Sequence, residues 1–269
     1  MKEWRTLMGM PVTVEIVGDG VDPRHFARLF AHFDHFDRVF SPFRPASETS
    51  RVNHGLLRIE DASEDMRTIV SLSEKTRTES GGYFDVYRDG VFDPGVIVKG
   101  WAVYQASEML RAAGVCDFFI AAGGDIQLSG RNQAGDSWVV GIRNPFHDGE
   151  IVKILRLSDA GIATAGPHEW ARHAHDPLQQ GGRVFDEIAS LSVIGPNAYE
   201  ADRFATAAFA MGRDGIAFIE RDPILEGYMI DRNGVATFTR GFSGYTTDVA
   251  CTTGVVCSRG PFNSRRLVA

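Results

Sequence analysis

Hydrophobic and polar positions change period twice in the first fifty residues. After Pro11, Val12, Val14 and Ile16 alternate with polar neighbours, a two-residue period that predicts a half-buried strand closed by Gly18-Asp19-Gly20. From Phe26 the period becomes three to four: Phe26, Leu29, Phe30, Phe33 and Phe36 share one helical face, and the helix should end near Phe40. The stretch 40–53 is rich in proline and serine and reads as a loop, with Ser47 placed to cap a short helix. A further helix is expected over about 62–80.

Downstream, Ala102, Ala106, Met109 and Leu110 put a helix over Gly100 to Gly114, with Gly114 as its stop. The uniformly apolar Phe118 to Ala122 reads as a buried strand running into Gly123-Gly124-Asp125. Strand-like runs recur at 138–143, 151–157, 188–194, 228–230 and 235–239, and helices fall near 200 and 213. This mixture predicts an α/β or α+β chain without repeats. No linker divides 1–241, so one compact unit is expected, followed by an irregular C-terminal extension over 242–269.

With 269 residues the chain can bury a substantial core, and 43% hydrophobic with 23% charged residues is ordinary for a globular protein. A net charge of −7 argues against nucleic acid as a partner. The opening residues lack the apolar run of a signal peptide, and no later stretch is long and uncharged enough to span a bilayer. A cytoplasmic protein without membrane insertion is expected. Cys116, Cys251 and Cys257 suggest neither a disulfide framework nor a cysteine metal site.

Two short segments carry candidate chemistry. Asp202 and Thr206, four residues apart in a helical stretch, put a carboxylate and a hydroxyl on one face. Oxygen ligands of this kind suit Mg²⁺ better than zinc, although an Asp near a helix start also serves as a cap. With Asp93-Pro-Gly-Val-Ile-Val-Lys-Gly100 they make a candidate site for a divalent metal and a phosphate.

Eight motifs appear in order: Met8-Gly9, Phe40-Ser-Pro-Phe43, Gly82-Tyr-Phe-Asp-Val86, Asp93 to Gly100, Gly123-Gly-Asp125, Ala163-Thr-Ala-Gly166, His173-Ala-His-Asp-Pro177, and Ala201-Asp202 with Thr206. The set resembles the ApbE family, the FAD:protein FMN transferases, with their DLxxIAKGYA stretch, GGD turn, ATSG turn, HxxDP turn and ADALAT helix. The resemblance runs from about Met8 to Gly241. It implies an α+β fold: a single compact two-lobed domain, mixed or antiparallel sheets flanked by helices, and a ligand cleft between the lobes. It also implies a Mg²⁺-dependent enzyme that cuts the pyrophosphate of FAD, transfers FMN to a threonine hydroxyl of an acceptor protein and releases AMP.

The resemblance further implies roles. Asp202, Thr206 and the backbone carbonyl of Val96 would hold Mg²⁺, and His173 would be the general base. Asp93 and Lys99 would lie beside FAD, Lys99 on a phosphate and Asp93 on a flavin or ribose group. Met8, Phe43, Gly82, Tyr83 and Phe84 would contact the isoalloxazine or adenine portions. Gly123, Gly124 and Asp125 would form a ligand-approach loop, and His175 stands where the family has an aliphatic residue near the flavin. Each has a plainer reading: a histidine bonded within a turn, a solvated lysine, phenylalanines packed in the core.

The chain departs from the family pattern in two further ways. Only seven residues separate Asp85 from Asp93, where the family has several tens, so a wall of the FAD cleft is expected to be missing. Pro94 replaces a leucine, and Tyr104 replaces an acidic residue. The same residues therefore also admit hydrolysis of FAD to FMN and AMP, or a flavin-binding protein that has lost turnover.

Overall fold

The computed structural model describes residues 1–88, 90–166 and 187–246. In chain order its elements are β1 (Lys2–Leu7), β2 (Met10–Ile16), α1 (Arg24–Phe40), α2 (Glu48–Asn53), α3 (Glu64–Glu79), β3 (Tyr87–Arg88), β4 (Val91–Phe92) and α4 (Gly95–Ala112). There follow β5 (Phe118–Ala122), β6 (Asp125–Ser129), β7 (Trp138–Arg143), β8 (Ile151–Leu157), β9 (Gly161–Ala165), β10 (Ile188–Gly195), α5 (Ala198–Ala210), α6 (Gly215–Ile219), β11 (Glu226–Asp231) and β12 (Ala236–Phe238). The sheet order is β1-β2-β5-β6-β9-β10-β11-β12, antiparallel throughout. Two ribbons, β3–β4 and β7–β8, stand apart from it.

Side-chain alternation sorts the sheet's residues between two faces. On the helical face Val12, Val14, Ile16, Phe118, Ile120 and Ala122 pack against the phenylalanines of α1 and against Ile97 and Val98 of α4. A second cluster on that face joins Ala163, Ala165, Leu191 and Val193 to Phe204, Ala205, Ala208 and Phe209 of α5. The opposite face sends Phe119, Ile126, Leu128, Ile162 and Ile230 under the β7–β8 ribbon, onto Trp138, Val140, Leu155 and Leu157. Each fully buried phenylalanine contributes about 2 kcal/mol of transfer free energy, which makes these clusters the main source of cohesion.

Strand β6 runs between the two helix-side clusters. Because Ile126 and Leu128 point to the ribbon, its helix-facing positions are Asp125, Gln127 and Ser129, all buried. The fold thus carries a polar stripe beneath the helices, and the chemistry gathers there.

The anticipated α+β unit is found, with differences that have local causes. Helix α4 begins at Gly95, not Gly100: Asp93 Oδ1 accepts the Gly95 amide at 2.9 Å and Pro94 stands at the N-cap. Burial of Val96, Ile97 and Val98 then outweighs the weak helix propensity of β-branched residues. The expected turn at Ala163 lies inside β9 as far as Ala165, and Asp125 opens a strand. Strand β1 was not expected; it pairs with β2 through a two-residue turn in which Met8 and Gly9 both have positive φ, 52° and 71°. Packing also continues past Gly241, since Phe242 is buried against Tyr228 and Leu155 bridges to Thr246. No helix among the described residues is long and apolar enough to cross a membrane.

Candidate functional site

The site forms where α4 crosses α5 above the β5–β6 turn. Lys99 Nζ lies 3.2 Å from Asp125 Oδ1 and 3.9 Å from Asp202 Oδ1, so two buried carboxylates converge on one ammonium. Three structural devices bring them together.

The first is the turn itself. Register pairs Ala122 with Asp125, leaving Gly123 and Gly124 as a two-residue hairpin connection, with Gly123 at φ 62°. A β-carbon on Gly123 would stand 2.6 Å from Met10 Sδ, so the bare backbone makes room for the methionine, and the Lys99 stem passes alongside, its Cδ 3.5 Å from that position.

The second is the helix crossing. Gly100 donates its amide to Asp202 Oδ2 at 3.0 Å, and a β-carbon there would meet the Asp202 β-carbon at 2.6 Å and the Ala198 carbonyl at 2.9 Å. In a regular helix the Gly100 amide bonds to the Val96 carbonyl, so Asp202 draws on the same donor, and both oxygens address one point.

The third is the anchoring of α5. Gln127 Oε1 accepts the Ala198 amide at 2.8 Å, and Asn197 caps the helix by accepting from Glu200. One turn in, Arg203 bonds Glu200 and Glu79 and lies 3.9 Å over the Phe204 ring. Burial works against the Arg203 charge, but Glu79 and Glu200 outweigh it and hold the guanidinium above its ordinary pKa. Thr206, half-buried, follows Asp202 by one turn on the same face.

Other expected residues scatter. Val96 is buried in the first turn of α4, and Asp93 accepts the Gly95 amide just ahead of that turn. Met8 occupies the β1–β2 turn, Gly82 has φ 91°, and Tyr83 is half-buried beside the second cluster. Phe43 is 86% exposed on the loop before α2. Phe84 is 1% exposed and packs inside the first cluster. Asp125 is fully buried and ion-paired with Lys99. Lys99 is an ion-paired lysine, not a solvated one. His173 and His175 lie outside the described residues.

Gln127 and Arg203 were missed by sequence reasoning. Gln127 alternates with Ile126 and Leu128, the mark of a polar group on the second face of a buried strand. Arg203 interrupts an alanine-rich apolar helix. Among the described residues no three His, Cys, Asp or Glu side chains are placed to hold a metal. The candidate donors, the Asp202 carboxylate, the Thr206 hydroxyl and the Val96 carbonyl, are an oxygen-only set whose chemistry fits Mg²⁺ and not zinc.

Helices on one face of an antiparallel sheet, crossing over a buried lysine–carboxylate cluster, define an α+β protein with a buried charged site. The ApbE family model matches residues 8–92 and 88–229, and the chain belongs to the ApbE family. The two matched pieces meet where the chain crosses from Asp85 to Asp93 through the short β3–β4 ribbon.

The FAD:protein FMN transferase of Haemophilus influenzae is 28% identical over 159 residues, covering 55% of this chain and 46% of that protein. The one from Vibrio cholerae is 30% identical over 142 residues, 49% and 42% of the two chains. The chain thus spans less than half the length of the curated relatives it matches. Among solved structures, the flavin transferase ApbE from Vibrio cholerae superposes with TM-score 0.75 at 20% identity, over 91% of this chain and 98% of that one. The apo flavinyl transferase ApbE of Pseudomonas stutzeri gives 0.76 at 21%, over 92% and 97%. Both share the fold.

Proposed function

We propose that the chain is a Mg²⁺-dependent flavin transferase that moves FMN from FAD to a threonine hydroxyl of an acceptor protein. The observation that carries this reading is the convergence of Asp202, Asp125 and Lys99 at the α4–α5 crossing, in a member of the ApbE family. Asp202, Thr206 and the Val96 carbonyl would hold Mg²⁺, with the Gly100 amide orienting Asp202. When bound, the ion supplies charge neutralisation for the pyrophosphate.

The bond broken is the phosphorus–oxygen linkage between the two halves of FAD; the bond formed joins the threonine oxygen to the FMN phosphorus. His173 takes the hydroxyl proton, and AMP leaves. Lys99 offers its ammonium to a donor phosphate. Phe43, Tyr83 and Met8 offer apolar surface to the rings, while Asp93 reaches a flavin or ribose group.

Incubation with FAD and Mg²⁺, with and without a threonine-bearing flavoprotein domain, tests the reading. AMP release together with FMN added to the acceptor supports it; AMP with free FMN alone makes the protein a hydrolase, and no AMP under either condition overturns the enzymatic reading.

A further inference from the structure

Lys99 is held unequally. Its ammonium lies 3.2 Å from Asp125 Oδ1 and 3.9 Å from Asp202 Oδ1; both contacts are ion pairs without hydrogen-bond geometry, and the one to Asp125 is the closer. Asp125 is also the more deeply buried carboxylate. Asp202 has its second oxygen fixed by the Gly100 amide, which leaves Oδ1 as the atom turned to the ammonium.

We propose that Lys99 is a built-in placeholder for the divalent cation: its ammonium balances Asp125 and Asp202 before metal arrives, then remains on Asp125 when the cation takes Asp202. This rests on Asp202 being a metal ligand, as in the reading above. Two carboxylates brought this close in a buried setting repel each other, and one tethered positive charge keeps the crossing assembled in the metal-free protein. A flexible four-carbon stem suits the exchange. Asp125 is then a positioning residue: it acts on the metal through Lys99, by keeping the ammonium off Asp202.

The test is Mn²⁺ binding without FAD, read as free Mn²⁺ by electron paramagnetic resonance, with a thermal melt for each variant. Lys99→Gln removes the competitor and should tighten Mn²⁺ at least about tenfold. Asp125→Asn frees Lys99 to lean on Asp202 and should weaken binding about tenfold. A direct charge effect of Asp125 predicts that weakening in any background. The placeholder predicts that in the Lys99→Gln background it shrinks below about threefold. Equal weakening in both backgrounds, or no tightening in a folded Lys99→Gln protein, overturns the proposal. If Lys99→Gln does not fold, Lys99→Met replaces it in the cycle. Asp202→Asn separates the two ideas: loss of the Mn²⁺ site confirms the ligand whatever Lys99 does, while a parent whose Mn²⁺ binding ignores Asp202 removes the metal reading and the placeholder with it.

Discussion

Gly100 and Asp202 meet in the α4–α5 crossing, the amide of one bonded to the carboxylate of the other at 3.0 Å. Alanine at position 100 should gain about 1 kcal/mol of helix propensity, but its methyl would stand 2.6 Å from the Asp202 β-carbon and 2.9 Å from a backbone carbonyl. Backbone cannot yield cheaply, so overpacking wins. Gly100→Ala should lose about 2 kcal/mol in denaturant unfolding and at least about tenfold in FMN transfer.

Asp202→Asn keeps the shape and an acceptor oxygen for Gly100 while removing the charge. Turnover at saturating Mg²⁺ should fall at least about a hundredfold with little change in melting temperature. Activity within a few-fold of the parent would exclude Asp202 as a ligand. Thr206→Val should cost less, about tenfold, since a neutral hydroxyl contributes less charge than a carboxylate.

Gln127 ties the sheet to α5. Its amide also donates to the Leu128 and Ala160 carbonyls, so Gln127→Leu strands a buried amide at Ala198 and removes donors from two carbonyls. A loss of about 2 kcal/mol in chemical denaturation is expected. An unchanged midpoint would mean that α5 does not depend on this anchor.

His32 links acid stability to the α1–α4 packing. Burial holds its pKa below the ordinary histidine value of about 6.5, despite a contact with the Ala102 carbonyl and the charge of Asp65. Below that value the unfolded chain binds a proton that the folded one resists. Stability is therefore fully present above about pH 6.5 and declines as pH falls toward the lowered folded-state value. His32→Gln should flatten this part of the acid limb in melts taken against pH; an unaltered slope would exclude His32 as its source.

Helices α1 and α2 and strand β5 were legible because each announces itself over neighbouring residues: phenylalanines at helical spacing, Ser47 as a cap, a uniformly apolar run. Strand β1 was not legible, because it is a largely exposed edge strand whose pairing supplies what its own pattern lacks. Phe84 shows the limit of a motif, which does not say which of its side chains turn inward: this one packs in the first cluster.

By itself the sequence determined the local elements, the family and the candidacy of Asp202, Thr206 and Lys99, since period, capping and motif spacing are properties of nearby residues. Only the tertiary structure decided that Asp125 and Lys99 form one unit with Asp202. That relation depends on strand β6 lying between two apolar clusters and on a glycine letting two helices touch. Long-range pairing and close approach of backbones leave no periodic trace in the chain, because they arise from the order in which distant strands and helices pack.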